Sequence, residues 1–337
     1  MSVQPAETPT RPSRQGIGAW LRLGLGCLIT VALAYFLFRR IDLDALLSQL
    51  KQVRPGTLLL AGGSVCIAYA IRITRWWQML RVARPALPAT RCISPYMISI
   101  AFNNLLPFRL GDFYRVVGFS RRLQISTPVI FASVVVERLI DLAVLLVMLL
   151  VGLATWLGDS LPPAYVDLAY LTAALVVAVL ALLPLTIALG NRLLARIRPE
   201  GRLVAMGRDI EAAARRYYTP RLAIRLLVLT VLGWSFEGLA YGIIIAGNGG
   251  DLGLGGTASV LSAATLSTLI PSSPGYVGTF HYAATLTMEA AGMGRDAATA
   301  AAILIHGVLW VTTTAIGLLC WAYYLIQSAR GPASPHA

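Results

Sequence analysis

Charge is scarce in this sequence. Only 13% of its 337 residues are Asp, Glu, Lys or Arg, where a soluble domain carries about 25%. Lysine is almost absent: Lys51 stands alone among 28 basic residues, so the rest are arginine. Four cysteines, Cys27, Cys66, Cys92 and Cys320, are too few and too scattered to staple a chain of this length. Three histidines and four cysteines at these spacings make no zinc site. No HExxH, GxSxG, Walker A or CxxC pattern occurs, and Gly253-Leu254-Gly255 lacks a strand–turn–helix context, so it reads as a turn. These absences exclude a soluble globular enzyme, a disulfide scaffold and an ATP-driven pump within this chain. Neither an enzymatic role nor a cofactor is expected.

What the sequence has is apolar surface. Hydrophobic residues make up 57% of it, and the mean hydropathy is +0.71. The expected fold is an all-α polytopic membrane protein. A bilayer core needs about 20 apolar residues in helix. Six stretches meet that length: Ile17–Phe38, Thr57–Trp77, Pro128–Trp156, Tyr165–Leu189, Leu222–Ala246 and Ala298–Ile326. The run at Ile17–Phe38 is longer than a signal-peptide h-region and reads as a retained span. Two further stretches are apolar but interrupted. Ile93–Phe119 is cut by Asn103, Asn104, Pro107, Arg109, Gly111 and Asp112; Thr257–Ala291 is cut by Pro271, Pro274, Gly275 and Gly278.

The net charge of +13 would suggest nucleic acid in a soluble protein, but here it marks cytoplasmic loops and anionic lipid, and no nucleic-acid partner is expected. The 190–221 loop and the start of the next span carry a dense run of arginines, whereas 157–164 and 247–256 have no Lys or Arg. The arginine-rich loop is therefore assigned to the cytoplasm, and so are both termini. Arg72, Arg75, Arg81, Arg84 and Arg91 are read as further cytoplasmic loop charges after the second span. The 39–56 loop falls outside despite Arg39, Arg40, Lys51 and Arg54. Within 190–221 the stretch Arg192–Pro220 reads as an interfacial helix. The expected division is a tail at 1–16, one transmembrane domain over 17–327 with units at about 57–156 and 222–327, and a tail at 328–337.

The two interrupted stretches match each other. Asn104-Leu105-Leu106-Pro107-Phe108-Arg109-Leu110-Gly111 aligns with Thr268-Leu269-Ile270-Pro271-Ser272-Ser273-Pro274-Gly275. Each lies between two full spans, with both flanks on one side and the two units of opposite topology. That is the pattern of an inverted repeat with re-entrant broken helices, which in transporters points to the substrate site. Pro107, Gly111, Pro271, Pro274, Gly275 and Gly278 would shape the irregular backbone, tolerated at such depth only where it is buried in protein or lines a cavity.

Ionisable groups inside spans are costly and mark function by default. Glu137, Arg138 and Asp141 lie in the 128–156 span, with Glu137 about 13 Å deep at the helical rise. Glu137 and Asp141 share a face, and Arg138 can pair with Asp141 at i,i+3. The cluster is either a buried lock between helices or the wall of a polar cavity. Arg109, Asp112 and Arg115 flank the first break, where Arg109 and Asp112 can also pair at i,i+3 and a pair of arginines suits a phosphate headgroup. Glu237 sits in mid-span without a local partner, and either carries a proton or meets Arg138 or Arg109 across the bundle. His281 and His306 read as hydrogen-bonded packing residues or as members of a proton relay.

Three blocks resemble the flippase-like family of lysylphosphatidylglycerol-synthase transmembrane regions. Asn104 through Arg115 is similar to its N-x-L-P-x-R-x-G-E-x-x-R, with Asp112 in place of Glu. Glu137-Arg138-Leu139-Ile140-Asp141 is similar to its E-R-x-x-D. Pro271 through His281 is similar to its P-x-x-P-G-x-x-G-x-x-E, with His281 in place of Glu. The resemblance implies movement of an anionic phospholipid or a polyprenyl-phosphate-linked headgroup between leaflets. It makes Asn103, Asn104, Arg109, Asp112, Arg115, Glu137, Arg138, Asp141, Glu237 and His281 the expected headgroup-binding residues. Membrane lipids are the expected partners, with a lipid-modifying enzyme and a second copy of the chain as further ones. Relatives of this kind carry a soluble synthase domain that is not expected here. The alternative is a non-transporting membrane scaffold for a synthase or glycosyltransferase.

Overall fold

A computed structural model describes residues 53–106, 109–157, 202–270 and 274–329, with scattered positions such as 48, 51 and part of 167–196. The expected first span Ile17–Phe38, most of Tyr165–Leu189, both terminal tails and the two hairpin-tip residues Pro107 and Pro271 lie outside the described residues. Among the described residues every regular element is helical. In chain order these are α1 (Pro55–Arg81), α2 (Thr90–Leu105), α3 (Leu110–Gly118), the single turn α4 (Ser120–Leu123), α5 (Thr127–Leu157), α6 (Arg202–Tyr217), α7 (Pro220–Gly247), α8 (Gly253–Ser267), a 3₁₀ turn (Pro274–Tyr276), α9 (Thr279–Ala290) and α10 (Arg295–Ala329).

Three helices, α1, α7 and α10, are long and apolar enough to cross a membrane. The 31 residues of α5 extend about 46 Å, with Glu137, Arg138 and Asp141 along the first half. Large apolar side chains such as Leu59, Leu60, Ile224 and Leu319 stay exposed on the outer surface, as lipid contact allows. The helix starts follow from sequence. Pro55 and Pro220 each stand in the first turn of their helix, where a missing N–H costs nothing.

Each interrupted stretch is a pair of short helices packed on one another, α2 on α3 and α8 on α9. The first chain break has two causes. Leu106 is extended (φ −108°, ψ 147°), as a residue before proline must be, and Arg109 is left-handed (φ 53°) ahead of α3. The second break uses Gly275 (φ 73°) and Gly278 (φ 96°), conformations that glycine adopts without strain, with Tyr276 (φ 58°) between them.

The two units pack reciprocally. α1 of the first unit lies along α7 of the second. α5 of the first packs on α8 of the second, while α10 of the second packs on α2 of the first. Both reciprocal contacts are made through a glycine. A Cβ on Gly152 would meet the Gly255 carbonyl and the Ser259 hydroxyl, each at 2.7 Å, and one on Gly317 would run into the Met97 carbonyl and the Ala101 methyl. Small residues of this kind let helix backbones approach closely where apolar burial gives no net drive.

Within the expected Arg192–Pro220 stretch a helix, α6, spans Arg202–Tyr217, and it docks on α5. Ala213, Ala214 and Tyr217 are buried, while Glu211 and Arg215 pair on the outer face at 2.9 Å. One expectation is corrected here. Arg72 and Arg75 are not loop charges: both sit inside α1 and are buried.

Gly152→Ala and Gly317→Ala should each lower stability by about 1–3 kcal/mol, the usual cost of overpacking. Thermal unfolding in detergent checks this, and Gly63→Ala, at a position with nothing within 4 Å, should leave the midpoint in place.

Candidate functional site

Burying a lone guanidinium in an apolar bundle is prohibitive, so buried arginines must find carboxylates. Helical spacing arranges this. Arg72 and Arg75 leave α1 one turn apart; Glu137, Arg138 and Asp141 leave α5 within one turn and a half; Asp112 and Arg115 share a face of α3. Arg75 is 1% exposed and grips Asp141 bidentately at 2.6 and 3.1 Å. Its Nη1 also donates to the Thr230 hydroxyl at 2.6 Å, and Trp234 Nε1 donates to Asp141 at 3.2 Å. Glu137, fully buried, accepts from Arg115 at 3.3 Å and from the Tyr96 hydroxyl at 3.3 Å, with Arg75 at 3.8 Å. Arg115 lies over the rings of Tyr96 and Trp76, at 4.7 and 5.0 Å. Arg138 pairs with Asp112 at 2.9 Å, and Asp112 is further held by Arg115 at 3.5 Å and Ser99 at 3.3 Å. One continuous network thus joins α1, α3, α5 and α7.

A second pair stands beside it. Arg72 Nη2 is 2.8 Å from Glu237, and the Arg72 guanidinium covers the Trp234 ring at 3.9 Å. Glu237 is therefore not alone, and its partner is neither Arg138 nor Arg109. Two other expected pairings change. Arg138 reaches Asp141 only at 3.9 Å, since Arg75 holds that carboxylate. Asp112 is bound by Arg138 and Arg115 rather than Arg109, because the left-handed turn at Arg109 swings its side chain away from α3.

Arg109 instead reaches the other break. Its Nη2 donates to the Thr268 hydroxyl at 3.0 Å, and its guanidinium lies 5.6 Å from the Tyr276 ring. Arg109 and Tyr276 are both non-glycine residues with positive φ. Strain held on two touching side chains is typical of a functional site. Asn104 ties the first break to α10, donating to Thr313 and Thr314 at 2.9 Å each while its carbonyl accepts from Trp310. Asn103 accepts from the Asp112 backbone N–H at 3.1 Å.

Between the two breaks lies a cavity of about 150 Å³. Asn103, Asn104, Arg109, Arg138, Glu237 and His306 line it, beside Arg72 and the aromatic residues Tyr69, Trp234, Tyr241, Tyr276 and Trp310. At about 30 Å³ per water, the space has room for about five waters, a small headgroup rather than a whole lipid. Asp112, Arg115, Glu137 and Asp141 are not among its lining residues; they stand behind it. His281 touches the cavity only through His306, at 3.3 Å.

Among the described residues of this region, five arginines (Arg72, Arg75, Arg109, Arg115, Arg138) face four carboxylates (Asp112, Glu137, Asp141, Glu237). The excess charge falls on Arg109, for which no carboxylate lies within ion-pair range among those residues. The arrangement can hold an anion at one guanidinium that is already aimed into a cavity. Sequence reasoning missed Arg72 and Arg75. The rule that marks charges within spans would have found them, because both fall inside the expected Thr57–Trp77 span.

Removing one partner of a buried pair leaves the other charge stranded. Arg75→Ala should therefore cost about 3–5 kcal/mol, while Arg109→Ala, which strands no carboxylate, should leave the thermal midpoint within a few degrees of wild type. Thermal unfolding of both variants in the same detergent checks the contrast.

Comparison with known proteins fits this picture. The model of the lysylphosphatidylglycerol synthase TM region matches residues 23–317. The chain is also 28% identical, over 323 residues, to glycosyltransferase AglD of Haloferax volcanii, an alignment covering 84% of this chain and 51% of that one. The chain thus spans about half the length of that curated relative. The match over most of its length shows that this membrane protein belongs to the lysylphosphatidylglycerol synthase transmembrane-region family.

Proposed function

We propose that the protein is a lipid translocase, not an enzyme, that moves an anionic phospholipid or lipid-linked headgroup between leaflets of the cell membrane. The observation that carries this reading is Arg109. It is a guanidinium without a carboxylate partner among the described residues, at the meeting point of two broken helices, facing a headgroup-sized cavity. A guanidinium offers phosphate a bidentate, charge-assisted contact. The reciprocal packing of the two units supports reading them as an inverted repeat, with broken segments that enter and leave on their own sides. In this reading the spans number six, both termini are cytoplasmic, and acyl chains stay in lipid while the headgroup crosses.

Division of labour follows from burial. Arg75, Arg115, Glu137 and Asp141 hold the helices, Arg138 and Asp112 form the cavity's back wall, and Arg109 binds. Neutralising Glu137 would leave Arg115 only its longer contact with Asp112 and so would test folding as much as function. A second reading, a scaffold for a lipid-modifying enzyme, is favoured by the relative named a glycosyltransferase, of which this chain spans about half.

Proteoliposomes carrying fluorescent phosphatidylglycerol separate the two. Outer-leaflet quenching should expose inner-leaflet label faster with the protein than without it. Arg109→Ala should slow that exchange about tenfold or more, the worth of one charge-assisted hydrogen bond of about 1.5–3 kcal/mol. Exchange equal to that of empty liposomes, for phosphatidylglycerol and polyprenyl-phosphate lipids alike, would favour the scaffold.

A further inference from the structure

His281 and His306 form one hydrogen-bonded chain across the second break. The Gly278 backbone N–H lies 3.4 Å from His281 Nδ1. An N–H can only donate, so that nitrogen carries a lone pair and the ring proton sits on Nε2. His281 Nε2 faces His306 Nδ1 at 3.3 Å and donates to it. The His306 proton is thereby placed on Nε2. Gly278 is the left-handed residue that caps α9, and Gly275 opens the turn before it. The chain starts at one of the two glycines that make the break.

Three of the four ring nitrogens are bonded and the fourth, His306 Nε2, already carries a proton, so an added proton cannot enter without breaking a bond. Protonation of His281 sets a ring N–H against the Gly278 N–H. Protonation of His306 sets two ring N–H groups against each other, or, if the proton shifts along the pair, expels the Gly278 contact. Either event releases the cap of α9 or parts α9 from α10. The Phe280 ring stacks on His306 at 4.8 Å and 28° and offers a π face to an imidazolium.

The charged and titratable groups that share the cavity with His306 set the terms. α1 presents Arg72 and Tyr69, α5 presents Arg138, α7 presents Glu237 and Tyr241, the first break presents Arg109 and the second Tyr276. Arg72 is matched by Glu237 and Arg138 by Asp112, which leaves Arg109 as the uncompensated charge. A second positive charge on the histidine pair is opposed by Arg109 until an anion neutralises it.

We propose that His281 and His306 together form a proton-binding site linked to the anion site at Arg109, so that one proton enters the second break when an anionic headgroup fills the cavity. This rests on reading the cavity as an anionic-headgroup site. The linkage is reciprocal: acid strengthens headgroup binding, and the headgroup draws in the proton. The bound proton loosens the second break, so lipid and proton cross in the same step.

Calorimetric titration of the purified full chain with short-chain phosphatidylglycerol, in two buffers of different ionisation enthalpy, counts the protons taken up per lipid. In a series of titrations carried from neutral to acid pH, wild type should take up a proton with the lipid, the uptake rising toward one per lipid at the acid end. Its affinity should rise on acidification by up to about tenfold per pH unit. His306→Gln should bind the lipid with no proton uptake. His281→Gln provides the same test should His306→Gln fail to fold. Binding that is lost in Arg109→Ala yet takes up no proton in wild type would overturn the proton site and leave the anion site standing. Uptake that persists in both glutamine variants would overturn it too. If phosphatidylglycerol does not bind at all, the anion site and the proton site fall together.

Discussion

A guanidinium cannot be buried alone, and the whole bundle is arranged around that constraint. Arg75 and Arg115 are almost fully enclosed, so Asp141 and Glu137 must be brought to them from α5, while Asp112 meets Arg115 within α3. The ion pairs fix the rotation of α1, α3 and α5 about their axes, because a turn of one residue would part Arg75 from Asp141. Such pairs are weak as a source of stability but strong as a registry device, since every misaligned alternative strands a charge. We take registry to be their role here.

A network in which each of four arginines has a carboxylate also isolates what it leaves out. Arg109 is displaced from its own helix by a left-handed turn and finds a hydroxyl and a ring instead of a carboxylate. The contrast between held arginines and a free one within a small volume gives the cavity its polarity. It also explains why the second break can answer the first: Thr268 and Tyr276 hold Arg109 from one side, and His306 lines the same space from the other. Movement of either break alters the surroundings of that one guanidinium.

Much of this was legible in the sequence. The apolar runs locate α1, α5, α7 and α10 within a few residues, and the Pro- and Gly-rich interruptions locate both helical hairpins. The local rule that a pre-proline residue is extended accounts for Leu106. What could not be read was which charges meet, because i,i+3 and i,i+4 rules see only one helix at a time. Those rules pair Arg138 with Asp141 and Arg109 with Asp112, whereas the stronger partners come from other helices, Arg75 to Asp141 and Arg138 to Asp112. Counting Arg72 and Arg75 as loop charges hid both partners. The meeting of the two breaks was legible only as a symmetry, and the histidines only as separate packing or relay residues, since their pairing depends on α9 and α10 lying side by side.

The central claim is that an anionic headgroup sits against Arg109 between the two breaks. The measurement that tests it most directly is an experimental structure determined with a phosphatidylglycerol analogue carrying a heavy atom near its phosphate. Phosphate density is expected within hydrogen-bond reach of Arg109, inside the cavity bounded by Thr268 and Tyr276. Headgroup density confined to the outer surface of the bundle, with the cavity holding only water, would contradict it.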